Sequence, residues 1–401
     1  MLKGKTIVVG ITGGIAAFKS AQLVSDLVKE GCDVHAVMTK NALNFINPIT
    51  FETLTGNKCL VDTFDRNFQF NVEHVALSQR ADVFIIAPAT ANIIGKLSCG
   101  IADDMLSTMV LAAKCDIIIA PAMNTYMYMN SIVQENIERL KAHGFVIIEP
   151  ASGRLACGDE GKGKLPDTSV LMGYVKHQIA FEKDMKGLKV TVTAGPTEES
   201  LDPVRFITNH SSGKMGYSLA EAAAMRGAEV ELISGPVSIP EPMFVNVNKI
   251  RSAEDMFNAA AKKLDDTDIL IMAAAVADYT PTDYSEHKIK KKDGDMSIPL
   301  RRTKDILKYA GENKKSGQTI CGFSMETRDL IENSRKKLLS KNCDIIAANS
   351  ISDRGSGFGT DTNKITLITR DGCKELDLLS KSQASHEILD FILKMRINSD
   401  K

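Results

Sequence analysis

The chain has no tryptophan, few aromatic residues and almost no net charge. Of its 401 residues 5% are aromatic, and 49 Lys and Arg stand against 50 Asp and Glu, a formal net charge of −1. The missing tryptophan excludes nothing. The missing charge excludes a general attraction to nucleic acid or to an anionic lipid surface, and no basic surface is interleaved with base-stacking aromatics. No apolar run reaches the length of a membrane span, and no apolar targeting segment precedes the strand-like run that starts at Thr6, so the expected location is the cytoplasm. Eight cysteines occur without a CxxC pair or a Cys/His ligand spacing, which points to reduced thiols and to no protein-held metal. Two nucleotide signatures are also missing. The first glycine turn, Gly10-Ile-Thr-Gly-Gly-Ile, lacks G-x-G-x-x-G, and Ser-Ser-Gly-Lys-Met-Gly at 211–216 fails as a Walker loop because position 208 is Thr and position 215 is Met.

What is present is an ordinary globular composition, 44% apolar, in a chain long enough for two domains. The same grammar opens twice. Thr6–Gly10 is a buried strand by its apolar run, followed by a Gly-Gly turn, a helical pattern from Ile15 to Glu30 and a second strand at Asp33–Met38. From Lys186 the pattern restarts: strand Lys189–Thr193, a turn at Gly195-Pro196, a long loop through Met215 and a helix from Tyr217 to Arg226. The spacing predicts two tandem α/β domains, 1–183 and 187–401, each with a mainly parallel, Rossmann-like sheet. A polar segment at Glu182–Lys186 joins them. Later strands are expected at Glu229–Ile233, Ile269–Met272, Thr319–Phe323 and Asp344–Asn349, helices at Ser252–Leu264 and Asp329–Lys341, then a hairpin (Lys364–Thr369, Glu375–Leu378) and a terminal helix, Ser385–Met395.

In the first half, strands Val83–Ala87 and Ile117–Ala120 both run into Pro-Ala followed by small polar residues, which in an open α/β sheet line the ligand crevice. Thr90, Asn92 and Asn124 supply uncharged hydrogen-bonding groups there; the alternative is that they cap the next helix. Gly13 and Gly14 permit close backbone approach at a helix N-terminus, where a phosphate sits well, or simply make a tight turn. His74 precedes a helical segment and is by itself more often structural than catalytic. Cys157 lies in a stretch with four glycines and no apolar periodicity, the composition of a mobile flap, with Arg154, Lys162 and Lys164 nearby to lower a thiol pKa or hold an anion.

Gly-Gly-Ile-Ala-Ala at 13–17, Pro-Ala-Thr-Ala-Asn at 88–92, Gly-Ile-Ala-Asp-Asp at 100–104, Pro-Ala-Met-Asn-x-x-Met at 121–127 and Ala-Cys-Gly at 156–158 resemble, in order and spacing, the flavin-containing cysteine decarboxylases. The resemblance implies a flavodoxin-like domain with FMN at the strand ends, near Gly13, Gly14, Thr39, Thr90 and Asn92. It also implies His74 as the active-site histidine, Asn124 as the binder of the substrate carboxylate and Cys157 as the flap cysteine. Tyr128 stands where many members have Trp. The implied chemistry oxidises the thiol carbon so that CO2 can leave, then returns two electrons and a proton to the enethiol, Cys157 being the natural proton donor.

The second half is similar to the CTP-dependent phosphopantothenate–cysteine ligases. The residues that carry this are Thr-Ala-Gly-Pro-Thr-Glu-Glu at 193–199, Asp-Pro-Val-Arg-Phe-Ile-Thr-Asn at 202–209, the Ser-Ser-Gly-Lys-Met-Gly run, Ala-Ala-Val-Ala-Asp-Tyr at 274–279 and Lys-Ile-Lys-Lys at 288–291. The resemblance implies a CTP site at Ala273, Ala274, Ala275, Asp278, Lys288, Asp305, Ile306, Leu307, Phe323, Lys337 and Lys341, with Arg205 and Asn209 at the acyl intermediate. Read without it, Lys288–Lys292 is a solvated basic run or a lid that brings ammonium groups to a triphosphate. The implied reaction makes an acyl cytidylate from 4′-phosphopantothenate and CTP with Mg2+, then joins it to cysteine; the product amide is the decarboxylase substrate. Trimeric contacts in the first domain and dimeric contacts in the second follow from the same resemblance. The rival readings are a catalytically inactive flavin-binding regulatory subunit of the same fold and a nucleic-acid-binding flavoprotein.

Overall fold

In the computed structural model the chain divides into two compact units, Met1–Phe181 and Glu182–Lys401. The structure describes residues 1–63, 73–154, 160–291, 295–326, 329–350 and 359–399. The first unit runs β1 (Thr6–Ile11), α1 (Ala17–Lys29), β2 (Asp33–Met38), α2 (Pro48–Thr55), α3 (Glu73–Arg80), β3 (Val83–Ala89), α4 (Ala91–Ser98), α5 (Met105–Ala112), β4 (Asp116–Pro121), α6 (Thr125–Met129), α7 (Ser131–Ala142), β5 (Val146–Ile147), β6 (Ala151–Arg154), β7 (Glu160–Lys164) and α8 (Thr168–Ile179). Its main sheet is parallel, in the order β2-β1-β3-β4-β5, the flavodoxin-like order. Both faces are covered, which is why β1 and β3 read as unbroken apolar runs. Ile7, Val9, Ile11, Val83 and Ile85 enter one core, and Val8, Phe84 and Ile86 enter the other.

Gly-Ile-Ala-Asp-Asp has a local physical explanation in this fold. Asp104 caps α5, accepting from the Ser107 N–H at 2.9 Å, and the Lys96 ammonium reaches Asp103 at 2.6 Å and Asp104 at 2.7 Å. Burial opposes ionisation of Asp104, but Lys96 and the Ser107 donors outweigh it and hold the carboxyl below its usual range.

The second unit runs β8 (Lys189–Ala194), β9 (Glu198–Ser200), β10 (Phe206–Thr208), α9 (Lys214–Met225), β11 (Glu229–Ser234), β12 (Asn246–Lys249), α10 (Ala253–Leu264), β13 (Ile269–Met272), β14 (Tyr279–Pro281), β15 (Leu300–Arg302), α11 (Ile306–Asn313), β16 (Thr319–Glu326), α12 (Leu330–Ser340), β17 (Ile345–Ser350), β18 (Thr362–Ile368), β19 (Cys373–Ser380) and α13 (Lys381–Ser399). Eight strands form one sheet in the order β12-β11-β8-β13-β16-β17-β18-β19, parallel except where β18 and β19 fold back. Two antiparallel ribbons, β9 with β10 and β14 with β15, stand outside it. The stretch expected as one loop from Ala194 to Met215 therefore contains a hairpin. The helix expected from Tyr217 begins at Lys214, one residue after Gly213, which takes a left-handed φ of 75° as its cap. Gly216 in the first turn is needed for contact: a Cβ there would lie 2.5 Å from that of Ala194, so only glycine lets α9 press on the end of β8.

The first segment of this unit is tied to its last. Arg226, 5% exposed, donates from Nε to Asp184 at 2.8 Å and pairs through Nη1 with Asp390 of α13 at 2.7 Å. Met185 is fully buried beside them, its N–H donating to the Arg226 carbonyl. The described cysteines are free thiols; burial pushes Cys32 up to about 11 and Cys59 and Cys343 up to about 12, so they stay protonated at neutral pH. Among the described residues no helix is long and apolar enough to cross a membrane and no cluster of metal ligands occurs.

Candidate functional site

Strand order reverses at β1/β3 in the first unit and at β8/β13 in the second, and the crevices lie outside the carboxyl ends of those strands. At the first crevice the Thr12 hydroxyl donates to the Pro88 carbonyl at 2.7 Å and accepts the Thr90 N–H at 3.1 Å, joining the loops after β1 and β3. Gly13 lies where a Cβ would be 2.6 Å from that of Asn41, and a Cβ on Gly14 would come 3.9 Å from the Thr90 methyl. Thr39 follows β2, with its N–H on the Ile11 carbonyl. Its hydroxyl oxygen is buried with no hydrogen-bond partner, although the residue immediately precedes a short 3-10 turn that it does not cap. Gly13, Gly14, Thr39 and Thr90 thus converge on the β1/β3 switch point; Asn92, in the first turn of α4, is exposed. A cavity of about 990 Å³ on the same unit, lined by Phe18, Gln22, Ile49 and Leu54 among others, contains none of them.

Asn124 follows β4 and caps α6, its side-chain oxygen accepting the Tyr126 N–H at 2.8 Å. Against this loop lies strand β7. The Met123 N–H donates to the Gly163 carbonyl at 3.0 Å, and a Cβ on Gly163, whose φ is 141°, would fall 2.3 Å from the Met123 carbonyl oxygen. Gly161 faces Thr125 nearly as closely, its Cβ position 2.8 Å from the Thr125 hydroxyl, itself buried without a partner. The alternate glycines thus let the hairpin that leads to and from Cys157 lie on the Asn124 loop. Cys157 itself is outside the described residues; His74 is the second residue of α3, and its side chain is likewise outside them. Tyr128 keeps its ring buried, and its hydroxyl donates to Glu149 at 3.0 Å.

The second crevice holds two adjoining cavities. One, of about 580 Å³, is lined by Ala274, Asp278, Asp305, Ile306, Leu307, Phe323, Lys337 and Lys341, together with Arg302 and Lys304. Lys341 pairs with Asp305, which also caps α11 by accepting the Lys308 N–H at 2.9 Å. Burial opposes ionisation of Asp305, but Lys341 and the backbone donor overcome it and keep the carboxyl below its usual range. The other cavity, of about 410 Å³, is lined by Asn209, Ala273, Ala275 and Ser211–Gly216, which includes Lys214, together with Asn349, Asn363 and Lys381. The Asn209 amide donates to the Ala275 carbonyl at 2.9 Å. The Thr193 hydroxyl accepts the Ala274 N–H, and that of Thr197 accepts the Ala277 N–H, so buried β8-side groups hold the small-residue stretch over the strand ends.

Most of the expected nucleotide residues therefore share one crevice. Lys288 and Arg205 line neither cavity: Lys288 is exposed on the β14–β15 connection, and Arg205 is engaged by Asp202. Sequence reading missed Lys214, Lys381, Asn349 and Asn363. Asn349 had a usable signal, its place near the carboxyl end of β17; Lys381 had none, because it enters the site through the packing of α13. Lys381 is almost buried and donates to the Thr360 carbonyl; burial together with the nearby Lys214 lowers its pKa, against the opposing pull of Asp361.

Two α/β units, each gathering glycine turns and polar groups at a switch point, define a tandem nucleotide-type α/β protein. The family models that match are "Flavoprotein" over residues 1–180 and "DNA/pantothenate metabolism flavoprotein C-terminal domain" over residues 185–395. The chain belongs to the family of the coenzyme A biosynthesis bifunctional proteins, whose Bacillus subtilis (strain 168) member, CoaBC, is 46% identical across 98% of this chain and 97% of its own. CoaBC of Borreliella burgdorferi is 39% identical across 98% and 100%. A cysteine/cysteine sulfinic acid decarboxylase of an unknown prokaryotic organism is 45% identical across 87% of this chain and 99% of its own. Among solved structures, the C-terminal domain of a CoaBC is 41% identical, covers 53% of this chain and 98% of its own, and has a TM-score of 0.46.

Proposed function

We propose that the second unit joins 4′-phosphopantothenate to cysteine with CTP and Mg2+, and that the first unit decarboxylates the product with FMN, giving 4′-phosphopantetheine in the cytoplasm. The observation that carries this reading is relation to bifunctional coenzyme A proteins across both units, over 98% of the chain, combined with a polar crevice at each switch point.

In the ligase crevice, Lys337, Lys341, Arg302 and Lys304 offer fixed positive charge on one side and the α9 N-terminus with Lys214 and Lys381 on the other. Attack of the substrate carboxylate on the α-phosphate of CTP expels pyrophosphate, and cations preorganised around the phosphoryl oxygens are what that step requires. Asn209, whose amide donates to the Ala275 carbonyl, is assigned with Arg205 to the acyl cytidylate while the cysteine amine displaces CMP. Lys288 is assigned the charge that approaches the leaving pyrophosphate.

The first crevice fits a flavin phosphate on its own terms: the partnerless Thr39 hydroxyl is a donor in search of an acceptor, and Gly13 and Gly14 expose backbone beside it. FMN held there supplies the two-electron chemistry. Asn124 binds the substrate carboxylate, and the β6–β7 hairpin covers it and carries Cys157 as proton donor; His74 completes the assignment. Trimeric pairing of the first unit and dimeric pairing of the second belong to the same reading.

The test is turnover. Purified protein is examined for bound yellow flavin and supplied with phosphopantothenate, cysteine, CTP and Mg2+ while CMP and CO2 are followed. CMP without CO2 would leave only the ligase. Flavin binding with neither product would favour the inactive regulatory subunit.

A further inference from the structure

We propose that Asp202 is a positioning residue for Lys288, one carboxylate that holds the β14–β15 connection at the residue beside Lys288 and so sets where its ammonium group stands. The proposal rests on the reading of Lys288 as a ligase cation.

The turn between β9 and β10 is built around this carboxylate, whose side chain is fully buried. Its two oxygens divide the work. Oδ1 accepts the Val204 N–H at 2.8 Å and the Arg205 N–H at 2.9 Å, which closes the turn. Oδ2 accepts Arg205 Nε at 3.0 Å, Arg205 Nη2 at 2.7 Å and the Ile289 N–H at 3.0 Å. Arg205 Nη2 also donates to the Ile289 carbonyl at 2.5 Å, so Ile289 is gripped through both its backbone groups. Four residues earlier the Ser285 N–H donates to the Leu201 carbonyl at 3.0 Å. Lys288 is thus bracketed between two anchors on one turn. Burial alone would raise the Asp202 pKa, but these donors drive it far below the usual carboxylate range. The carboxylate is therefore charged throughout the neutral range, as a permanent clamp requires. Apolar packing is not what holds this stretch: Tyr284, Glu286, His287 and Lys288 are exposed, and the anchors are polar.

Asp202→Asn separates the clamp from the turn. The amide keeps one acceptor oxygen for Val204 and Arg205 but turns an N–H2 group toward the donors of Ile289 and Arg205. In the full-length protein the variant should be cut faster by trypsin after Lys288 and Lys290. Its kcat for CMP release should fall by about 10²-fold, the cost of a catalytic group displaced by about an ångström, with a smaller change in KM for CTP. Decarboxylation of supplied phosphopantothenoylcysteine should stay near wild type, while the melting temperature should fall by a few degrees, the cost of donors left facing an amide N–H2 group. Adding Asp202→Asn to Lys288→Gln should then cost nothing further in pyrophosphate release from CTP and phosphopantothenate, the step that precedes the acyl intermediate assigned to Arg205, because at that step the clamp acts through Lys288. Unchanged trypsin cleavage overturns the clamp, and so does additive loss in the double variant. Lys288→Gln with normal CMP release would instead sink the role of Lys288 itself. Asp202→Ser, whose hydroxyl still accepts from the Val204 N–H, is read the same way if the Asn variant does not fold.

Discussion

Replacing Thr39 by Val makes two predictions of opposite sign. Valine keeps the shape and removes a hydroxyl that is buried with no partner in the structure. A buried polar group left unsatisfied costs about 1–3 kcal/mol, so flavin-free Thr39→Val protein should be at least as stable as wild type. For a unit of this size each kcal/mol is worth about 2–4 °C in melting temperature. If the hydroxyl is there to donate to the flavin phosphate, the same change removes a hydrogen bond to a charged acceptor, worth about 1.5–3 kcal/mol. That corresponds to roughly a 10- to 150-fold rise in the FMN dissociation constant. The assay is titration of flavin-stripped protein followed by quenching of flavin fluorescence, beside thermal melts of the stripped protein. Weaker flavin binding from a protein that melts no lower is the expected pair. Unchanged FMN affinity, or stripped protein that melts several degrees lower, refutes the argument that this oxygen waits for a ligand.

Lys288→Gln should slow CMP release by about 10²–10³, the loss of one preorganised electrostatic donor, and leave decarboxylation near normal; a loss within a few-fold would mean a solvated lysine. Gly163→Ala puts a methyl 2.3 Å from the Met123 carbonyl oxygen, so decarboxylation should fall steeply with CMP release unaffected, and equal loss of both would show a general folding defect. Cys157→Ser should oxidise and decarboxylate substrate but fail to complete the reduction, because a hydroxyl is a far weaker acid than a thiol; mass spectrometry should find accumulated enethiol, and normal pantetheine phosphate output would remove Cys157 from the mechanism.

The parallel strands were legible because burial on both faces writes them as apolar runs: β2 and β13 match the sequence reading to the residue, and β1 and β8 to within one. That Ala274, Asp278 and Phe323 line a crevice was legible for a related reason, since small and polar residues take over at the strand ends where the apolar run stops. The β9–β10 and β14–β15 ribbons were not. Each strand is three residues long, too short for periodicity, and the ribbons are held by polar contacts between distant positions. Lys288 could be picked out by type, but its anchor could not, because Asp202 and Ile289 are 87 positions apart. The pairing of Lys214 with Asp361, 147 positions away, escaped for the same reason. Asn124 shows both readings at once: its oxygen caps α6, the ordinary use of such a residue, while its loop lies beneath the β6–β7 hairpin.

The arginine that gathers Asp184 and Asp390 has a consequence for how such a chain can be assembled. One buried guanidinium fastens the segment before β8 to the middle of α13, so the first stretch of the second unit is tied to its last helix. A fold closed in this way is a portable cassette. It can be appended behind another domain or cut free from one without any of its strands changing neighbours. Met185 is buried only a few residues after the boundary at Phe181. The joint between two enzymes is thus a few residues of chain rather than a linker domain.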